Sequence, residues 1–239
     1  MVASCEVKFP SLDPTLPPFF PADHNLTLPI SHFEDMGPAH DEPPRLDPMS
    51  LGLAEPMASI MNSVQHVSQL VPTHYSYPSA ETSGVILTRM CTLLSHLLSL
   101  PPSPPICASS SQDQFSSLIT ETARFAILIH VFTPWRGLPP DGTIAINSIL
   151  HQLMASLRTV TSTCEDTNNA LVLWMFAVGG VSAVGMPERI WFVNHLAEMT
   201  KNIGILTWEG FKAAVSRCIW HEKLYVRAYE KLWDEIVEQ

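Results

Sequence analysis

An uncharged, apolar stretch in the C-terminal half constrains the fold of this chain more than any other feature. Ala170–Met186 contains no charged side chain over 17 residues, so it must lie either in a membrane or at the centre of a protein core. Its length is at the lower limit for a membrane-spanning helix. It also contains Gly179, Gly180, Ser182 and Gly185, and no Lys or Arg stands immediately beside either end. We therefore expect a buried core helix rather than a membrane span, and no membrane association.

Prolines and glycines divide residues 81–239 into segments in which apolar side chains recur at helical spacing. No stretch shows the alternation that is typical of a strand. Apolar spacing, breakers and caps predict helices at 79–99, 112–132, 143–162 and 222–237, and others from Asp166 or Thr167 onward, from Pro187 to Gly204, and after Thr207. The sequence thus predicts an all-α fold, an irregular bundle of about six to eight helices, preceded by a Pro-rich, largely unstructured N-terminal region.

Residues 1–80 differ in composition from the rest of the chain. They hold 13 of the 21 prolines, with 2 basic against 9 acidic side chains. We expect a mostly disordered, acidic region over 1–80 and a helical domain over 81–239. A short helix around Leu53–Leu70 is the one exception that apolar spacing allows. The acidic region is either an interaction or activation tail or a solvated segment without a function.

Charge and cysteine content exclude several classes of function. The net charge of -10 disfavours direct binding to nucleic acid. The five cysteines stand at 5, 91, 107, 164 and 218, and no two form a C-x-x-C pair. This spacing suits neither a disulfide framework nor a thiolate zinc site. We read the cysteines as reduced, and the absence of a signal-peptide pattern predicts that the protein is not secreted.

No group of residues carries a defensible catalytic pattern. Gly180-Val-Ser-Ala-Val-Gly185 has one residue too many for a nucleophile elbow. Cys218 and His221 could share a helix face and bind a metal, but a packed thiol beside an imidazole is the simpler interpretation. His130 stands in an apolar run, where a core histidine bonded to a backbone carbonyl is expected. Asp234, Glu235 and Glu238 are interpreted as a solvated helix face. We predict no catalytic, metal-binding or cofactor-binding residue and no cofactor.

A series of short motifs follows over 165–237. The chain reads ALVLWMFAVGG at 170–180, PERIWF at 187–192, GILTWEGF at 204–211, IW at 219–220 and KLWDEI at 231–236. Their order and spacing resemble those of the fungal-specific transcription factor domain, the regulatory domain that follows a binuclear zinc cluster. The resemblance is strongest over 165–237, compatible in pattern over 81–160, and absent over 1–80.

The residues that carry the resemblance are interpreted as core packing. Tryptophans contribute large buried areas, and a glycine pair lets two helices approach closely or bend. Arg189 beside Glu188 is a candidate for a partly buried ion pair. The full set of signature residues is Trp174, Gly179, Gly180, Pro187, Glu188, Arg189, Trp191, Phe192, Trp208, Trp220, Leu232 and Trp233.

The resemblance implies a nuclear regulator of transcription rather than an enzyme. A binuclear zinc cluster needs six closely spaced cysteines, which this sequence does not contain. Either the regulator has lost its DNA-binding part or the sequence is truncated at its start. We expect action through protein or ligand contacts, with a DNA-bound transcription factor or co-regulator as partner, and a homo- or heterodimer is left open. The alternative is a helical interaction or scaffold protein derived from the family, located in the nucleus or otherwise in the cytoplasm, with an enzyme third.

Overall fold

The computed structural model describes residues 47–69, 80–101, 111–133, 140–163 and 170–239. Within these ranges the chain forms a short 3₁₀ helix and eight α-helices, and no strand, which confirms the predicted all-α class. The 3₁₀ helix is Pro48–Leu51, and the α-helices are α1 (Glu55–Gln69), α2 (Ala80–Ser99), α3 (Ser111–Phe132), α4 (Pro140–Thr163), α5 (Ala170–Ser182), α6 (Arg189–Ile203), α7 (Trp208–Ser216) and α8 (Glu222–Val237). Most of the N-terminal region that was predicted to be unstructured lies outside the described residues.

Local signals in the sequence set several helix ends. Thr207 begins α7 with its side-chain oxygen accepting from the backbone N–H of Gly210 at 3.2 Å, as expected for an N-cap. Gly204 ends α6 with φ 79°, and its backbone N–H donates to the carbonyls of Lys201 and Thr200, an arrangement that favours glycine because φ is positive. The predicted caps Asp166 and Thr167 lie outside the described residues.

Helix α5 is the centre of the core, as its lack of charge predicts. Every residue from Leu171 to Ser182 is buried, and α5 packs against α3, α4, α6, α7 and α8. Among the described helices, one stretch, Gln114–Phe132 in α3, is long and apolar enough to cross a bilayer. It is 56% buried in the protein, so length and composition here are a weak indication of a span, because core helices share them.

Helix α1 belongs to the core although it lies within the Pro-rich segment 1–80. Its inward side chains are buried, among them Met57, Met61 and Val64, which confirms the short helix expected around Leu53–Leu70. The turn before it is fixed to α3, because Thr120 Oγ1 accepts from the backbone N–H of Ala54 at 3.0 Å. The domain boundary at residue 80 stays a prediction.

Helix α2 is joined to α3 by an arginine that the sequence did not single out. The Arg124 guanidinium donates to the carbonyls of Leu100 and Pro101, both at 2.9 Å. These are carbonyls at the C-terminal end of α2, where a positive charge also interacts favourably with the helix dipole. Arg124, a charged residue inside an otherwise apolar run of α3, therefore caps the C-terminal end of the neighbouring helix α2.

Helix α8 buries a different face from the one expected. Helical spacing predicts that α8 buries Leu224, Ala228, Leu232, Trp233 and Ile236. In the structure Leu224 is 40% exposed, and Ala228 is only half-buried. The inward stripe contains the predicted Leu232, Trp233 and Ile236, and it begins with Tyr225 and Tyr229. Tyr225, Tyr229, Leu232 and Ile236 recur at spacings of four, three and four, so Leu224 lies on the adjoining side of the helix.

Candidate functional site

Three of the five signature motifs, at 170–180, 187–192 and 231–236, meet where α5, α6 and α8 pack together. We call this region the α5–α6–α8 junction, and it comprises Gly179, Gly180, Arg189, Phe192, Leu232 and Glu235. Gly179, Gly180, Phe192 and Leu232 are buried. The motif segments that are separate in the sequence are thus brought together by the fold.

The glycine pair allows close approach, and each glycine serves a different helix. A Cβ on Gly179 would lie 2.6 Å from Cζ and 2.8 Å from Cδ1 of Phe192 in α6, which is closer than van der Waals contact permits. A Cβ on Gly180 would lie 3.0 Å from a methyl group of Leu232 in α8. Both glycines are helical and have no positive φ, so the space around them, rather than backbone conformation, calls for glycine.

Arg189 pairs with Glu235 and not with its neighbour Glu188, so the predicted Glu188–Arg189 ion pair is wrong. Its Nε and Nη2 atoms donate to the two carboxylate oxygens of Glu235, both at 2.7 Å, and Nη1 donates to the carbonyl of Gly180 at 2.6 Å. One guanidinium therefore joins the C-terminal end of α5 to α8. Glu235 had been assigned to a solvated face, and hydrogen bonding to Arg189 lowers the pKa of its carboxyl group.

Glu188 instead binds a histidine of α4. His151 Nε2 forms a 2.9 Å hydrogen bond with Glu188 Oε1, and this bond lowers the pKa of the Glu188 carboxyl. Side chains of adjacent residues on a helix point in directions about 100° apart, so neighbours such as Glu188 and Arg189 do not face each other. Pro187 is exposed and precedes the helix, which begins at Arg189 rather than at the proline.

Trp191 lies in an aromatic cluster formed by side chains of α5 and α6. Its ring centroid is 5.4 Å from that of Phe176, 4.9 Å from Phe192 and 4.3 Å from His195. The guanidinium carbon of Arg158 in α4 lies 5.3 Å from the Trp191 ring centroid, within the range of a cation–π contact. Sequence reasoning did not find Arg158, because it lies on α4, whose placement against α6 only the fold defines. His195 stands four residues after Trp191 on α6, so helical spacing could have indicated that contact.

The other signature tryptophans are also structural. Trp174 is fully buried, and its Nε1 donates to the carbonyl of Ile219 at 3.2 Å. Trp233 stacks on Phe211 with ring centroids 5.2 Å apart, and Trp208 contacts the same ring at 6.2 Å. Trp220 Nε1 donates to Glu222 at 2.8 Å. Each indole thus satisfies its N–H or fills space between helices.

A buried glutamine binds the backbone of Trp220. Gln65 Oε1 accepts from the Trp220 N–H at 2.7 Å, and Gln65 Nε2 donates to the Trp220 carbonyl at 3.2 Å. The two bonds satisfy the backbone N–H and the backbone carbonyl of Trp220, a buried residue between α7 and α8. They join α1 to a segment 155 positions later, a pairing that no local pattern could have predicted.

The residues considered for chemistry have structural surroundings. Burial raises the pKa of the Cys218 thiol to about 12, and His221 caps α8 by accepting from the backbone N–H of Leu224. Within the described residues no three His, Cys, Asp or Glu side chains are grouped so that they could hold a metal ion. Ser182 is buried in α5, in a helix rather than in the strand-to-helix turn of a nucleophile elbow.

His130 is a buried core histidine, packed between Trp174 and Tyr225 with ring centroids 5.8 Å and 4.5 Å away. It is 2% exposed, and burial lowers its pKa to about 3. The Nε2 atom has no hydrogen-bond partner within the described residues. The ring is therefore neutral at physiological pH and packs as an aromatic side chain.

The described part of the chain is an all-helical domain whose central helix α5 packs against α6 and α8 at this junction. The family described as "Fungal specific transcription factor domain" matches residues 15–218, so the chain belongs to that family. The match includes most of the segment 1–80, for which no resemblance was expected, and it stops before α8. Neither a curated protein nor a solved structure matches the chain.

Proposed function

We propose that this protein regulates transcription in the nucleus through contacts with other proteins or with a ligand, and that it does not itself bind DNA. Membership of the fungal-specific transcription factor domain family is the observation that carries this proposal. That family is one of transcription factor domains and not of enzymes. The partner we propose is a DNA-bound transcription factor or a co-regulator. The chain would bind it either directly, as a heterodimer, or as a homodimer of two copies of this chain.

Charge and cysteine content support the absence of direct DNA binding. The chain has 13 basic and 23 acidic residues, so phosphate neutralisation is weak, and phosphate contacts contribute a large part of protein–DNA affinity. Its five cysteines are fewer than the six that a binuclear zinc cluster requires. Recruitment by a partner that reads DNA is consistent with both facts.

A role in transcription can be tested by tethering the chain to DNA beside a reporter gene. The full chain is fused to a bacterial repressor DNA-binding domain and expressed in a fungal host with a reporter that carries the matching operator. We expect reporter output to change with the fusion and to stay at baseline with the DNA-binding domain alone. An unchanged output with the fusion, at equal protein levels, would count against a role in transcription.

Direct DNA binding is tested separately with purified full chain. A gel shift with random-sequence duplexes at physiological salt should show no specific complex. A shifted band that survives competitor DNA would contradict the proposal. A fluorescent fusion should accumulate in the nucleus, and pull-down from nuclear extract should recover proteins of the transcription machinery, whereas recovery of other partners alone would favour the scaffold alternative.

A further inference from the structure

A cavity lies between helix α1 and the turn that follows α7. Its volume is about 280 Å³. It is formed by the 3₁₀ helix, by α1 and by the turn after α7. The lining residues that matter for its chemistry are Leu51, Met61, Asn62, His66, Arg217 and Cys218.

The cavity lining combines apolar side chains with a positively charged arginine. Leu51 and Met61 supply apolar surface, Arg217 supplies a basic group, and no Asp or Glu is among the described residues that line the cavity. Asp47 lies just before the lining residue Pro48, but it is exposed and accepts from the backbone N–H of Met49. The described lining therefore carries a positive charge, in a chain whose net charge is -10.

Arg217 is the group that most needs a counter-charge. It is half-buried, a guanidinium is always protonated in proteins, and within the described part of the chain Arg217 forms no ion pair. Its neighbour Cys218 is buried, and the pKa of this thiol is raised to about 12. The thiol is therefore uncharged and does not neutralise Arg217.

We propose that this cavity binds a small organic anion, a monocarboxylate with one apolar group about the size of a single ring. Arg217 would receive the carboxylate in a bidentate arrangement, and Leu51 and Met61 would contact the apolar part. The volume of about 280 Å³ lies just below the usual range for ligand pockets, which favours a ligand smaller than a nucleotide. This inference rests on the proposed function, since it identifies where a ligand would act.

Ligand binding here would act on a contact that joins distant parts of the chain. Gln65, which also lines the cavity, forms the paired hydrogen bonds with Trp220. A bound anion would contact α1 and the turn after α7 at once, and so stabilise their association.

Thermal unfolding of the full chain, followed by circular dichroism, tests the site with benzoate as the probe. At about 10 mM sodium benzoate we expect the Tm to rise by about 2–4 °C relative to equal sodium chloride. Benzamide has the same shape without the charge and should raise it by less than half as much. Arg217→Gln should abolish the benzoate shift, while Arg227→Gln, the same change at an exposed site on α8, should retain it.

Three results would overturn the proposal: no benzoate shift in the wild-type chain, an equal shift with benzamide, or an undiminished shift in Arg217→Gln. If Arg217→Gln loses helical signal, NMR of the wild-type chain decides, because benzoate should move the side-chain amide signals of Gln65 and Asn62 and leave those of the distant Gln152 unchanged. The tethered reporter is independent of these measurements. A benzoate shift without any reporter response would therefore refute the transcriptional role and leave the site standing.

Discussion

His130 is the side chain whose surroundings most limit its chemistry. A neutral imidazole packs between Trp174 and Tyr225, and its Nε2 has no partner within the described residues. Because burial lowers its pKa from 6.5 to about 3, the folded state binds fewer protons than the unfolded state between these values. Stability contributed by this group is therefore complete above pH 6.5 and is lost as pH falls toward 3.

This difference predicts a pH effect in His130→Phe, which keeps an aromatic ring and removes the titrating group. Between pH 7 and pH 5, the wild-type free energy of unfolding should fall by about 2 kcal/mol more than that of the variant. Urea titrations at several pH values measure it. Parallel curves for the two proteins over this range would show that the pKa of His130 is the same in the folded and unfolded states, and would contradict the prediction.

The two adjacent glycines predict two different outcomes for the same substitution. Gly179→Ala places a methyl group against the Phe192 ring and should cost about 2–3 kcal/mol, because overpacking exceeds the gain in helix propensity. Gly180→Ala meets the two terminal methyls of Leu232, at 3.0 and 3.2 Å, which can shift, so the cost should stay within about 1 kcal/mol.

Chemical denaturation of both variants measures the difference, and Phe192→Leu supplies a control. The double variant Gly179→Ala with Phe192→Leu should be more stable than the sum of the single changes predicts, because the smaller side chain relieves the overlap. Equal costs for the two glycine substitutions would mean that Phe192 rotates away freely, contrary to the packing seen here.

At the scale of elements, Arg189 predicts which helices are energetically coupled. It binds Glu235 of α8 and the Gly180 carbonyl of α5, whereas Glu188 binds His151. A double-mutant cycle of Arg189→Met with Glu235→Gln should give a coupling of about 1 kcal/mol. The value is modest because Glu235 is 43% exposed and solvent screens the pair.

The matched cycle of Arg189→Met with Glu188→Gln should give a coupling below about 0.3 kcal/mol. Because the pKa of Glu235 is lowered by Arg189, the first coupling should be complete above the ordinary value of 4.5 and disappear as pH falls through the lower folded value. Coupling of equal size in both cycles would contradict the pairing.

Sequence reasoning succeeded where a helix depends on its own residues and failed where partners come from elsewhere. The uncharged α5, the cap at Thr207 and the end at Gly204 are local, so spacing and residue type predict them. The partner of Arg189 is not local, because Glu235 is 46 positions away. From the sequence alone, the adjacent Glu188 was an equally good candidate for the ion pair. Leu224 and Tyr225 are neighbours with similar hydropathic roles, and only the packing of α8 decides which one faces inward.

At the scale of the whole molecule, the limits of the fold and of the family match differ. The match ends at residue 218, yet α8 contributes Tyr229, Leu232 and Ile236 to the core. Removing 219–239 should therefore prevent cooperative folding, since the lost burial of several large side chains is comparable to the total stability of a domain.

Circular dichroism melting of the truncated chain should show no cooperative transition, whereas removal of Glu238 and Gln239, both exposed, should leave the Tm within about 2 °C of the intact chain. A cooperative transition in the longer truncation would show that α8 is an accessory helix. The same comparison would locate the C-terminal limit of the folding unit independently of the family match.

The contact of Gly179 with Phe192 also has a consequence for the divergence of this family. Every single-nucleotide change of a glycine codon that yields another amino acid adds at least a Cβ, and here that atom overlaps the Phe192 ring. Substitution at this position is therefore accessible only after a smaller residue has replaced the phenylalanine. In relatives that share the fold, the position of Phe192 should change before the position of Gly179. Relatives that have phenylalanine at the position of Phe192 and a residue larger than glycine at the position of Gly179 should be rare.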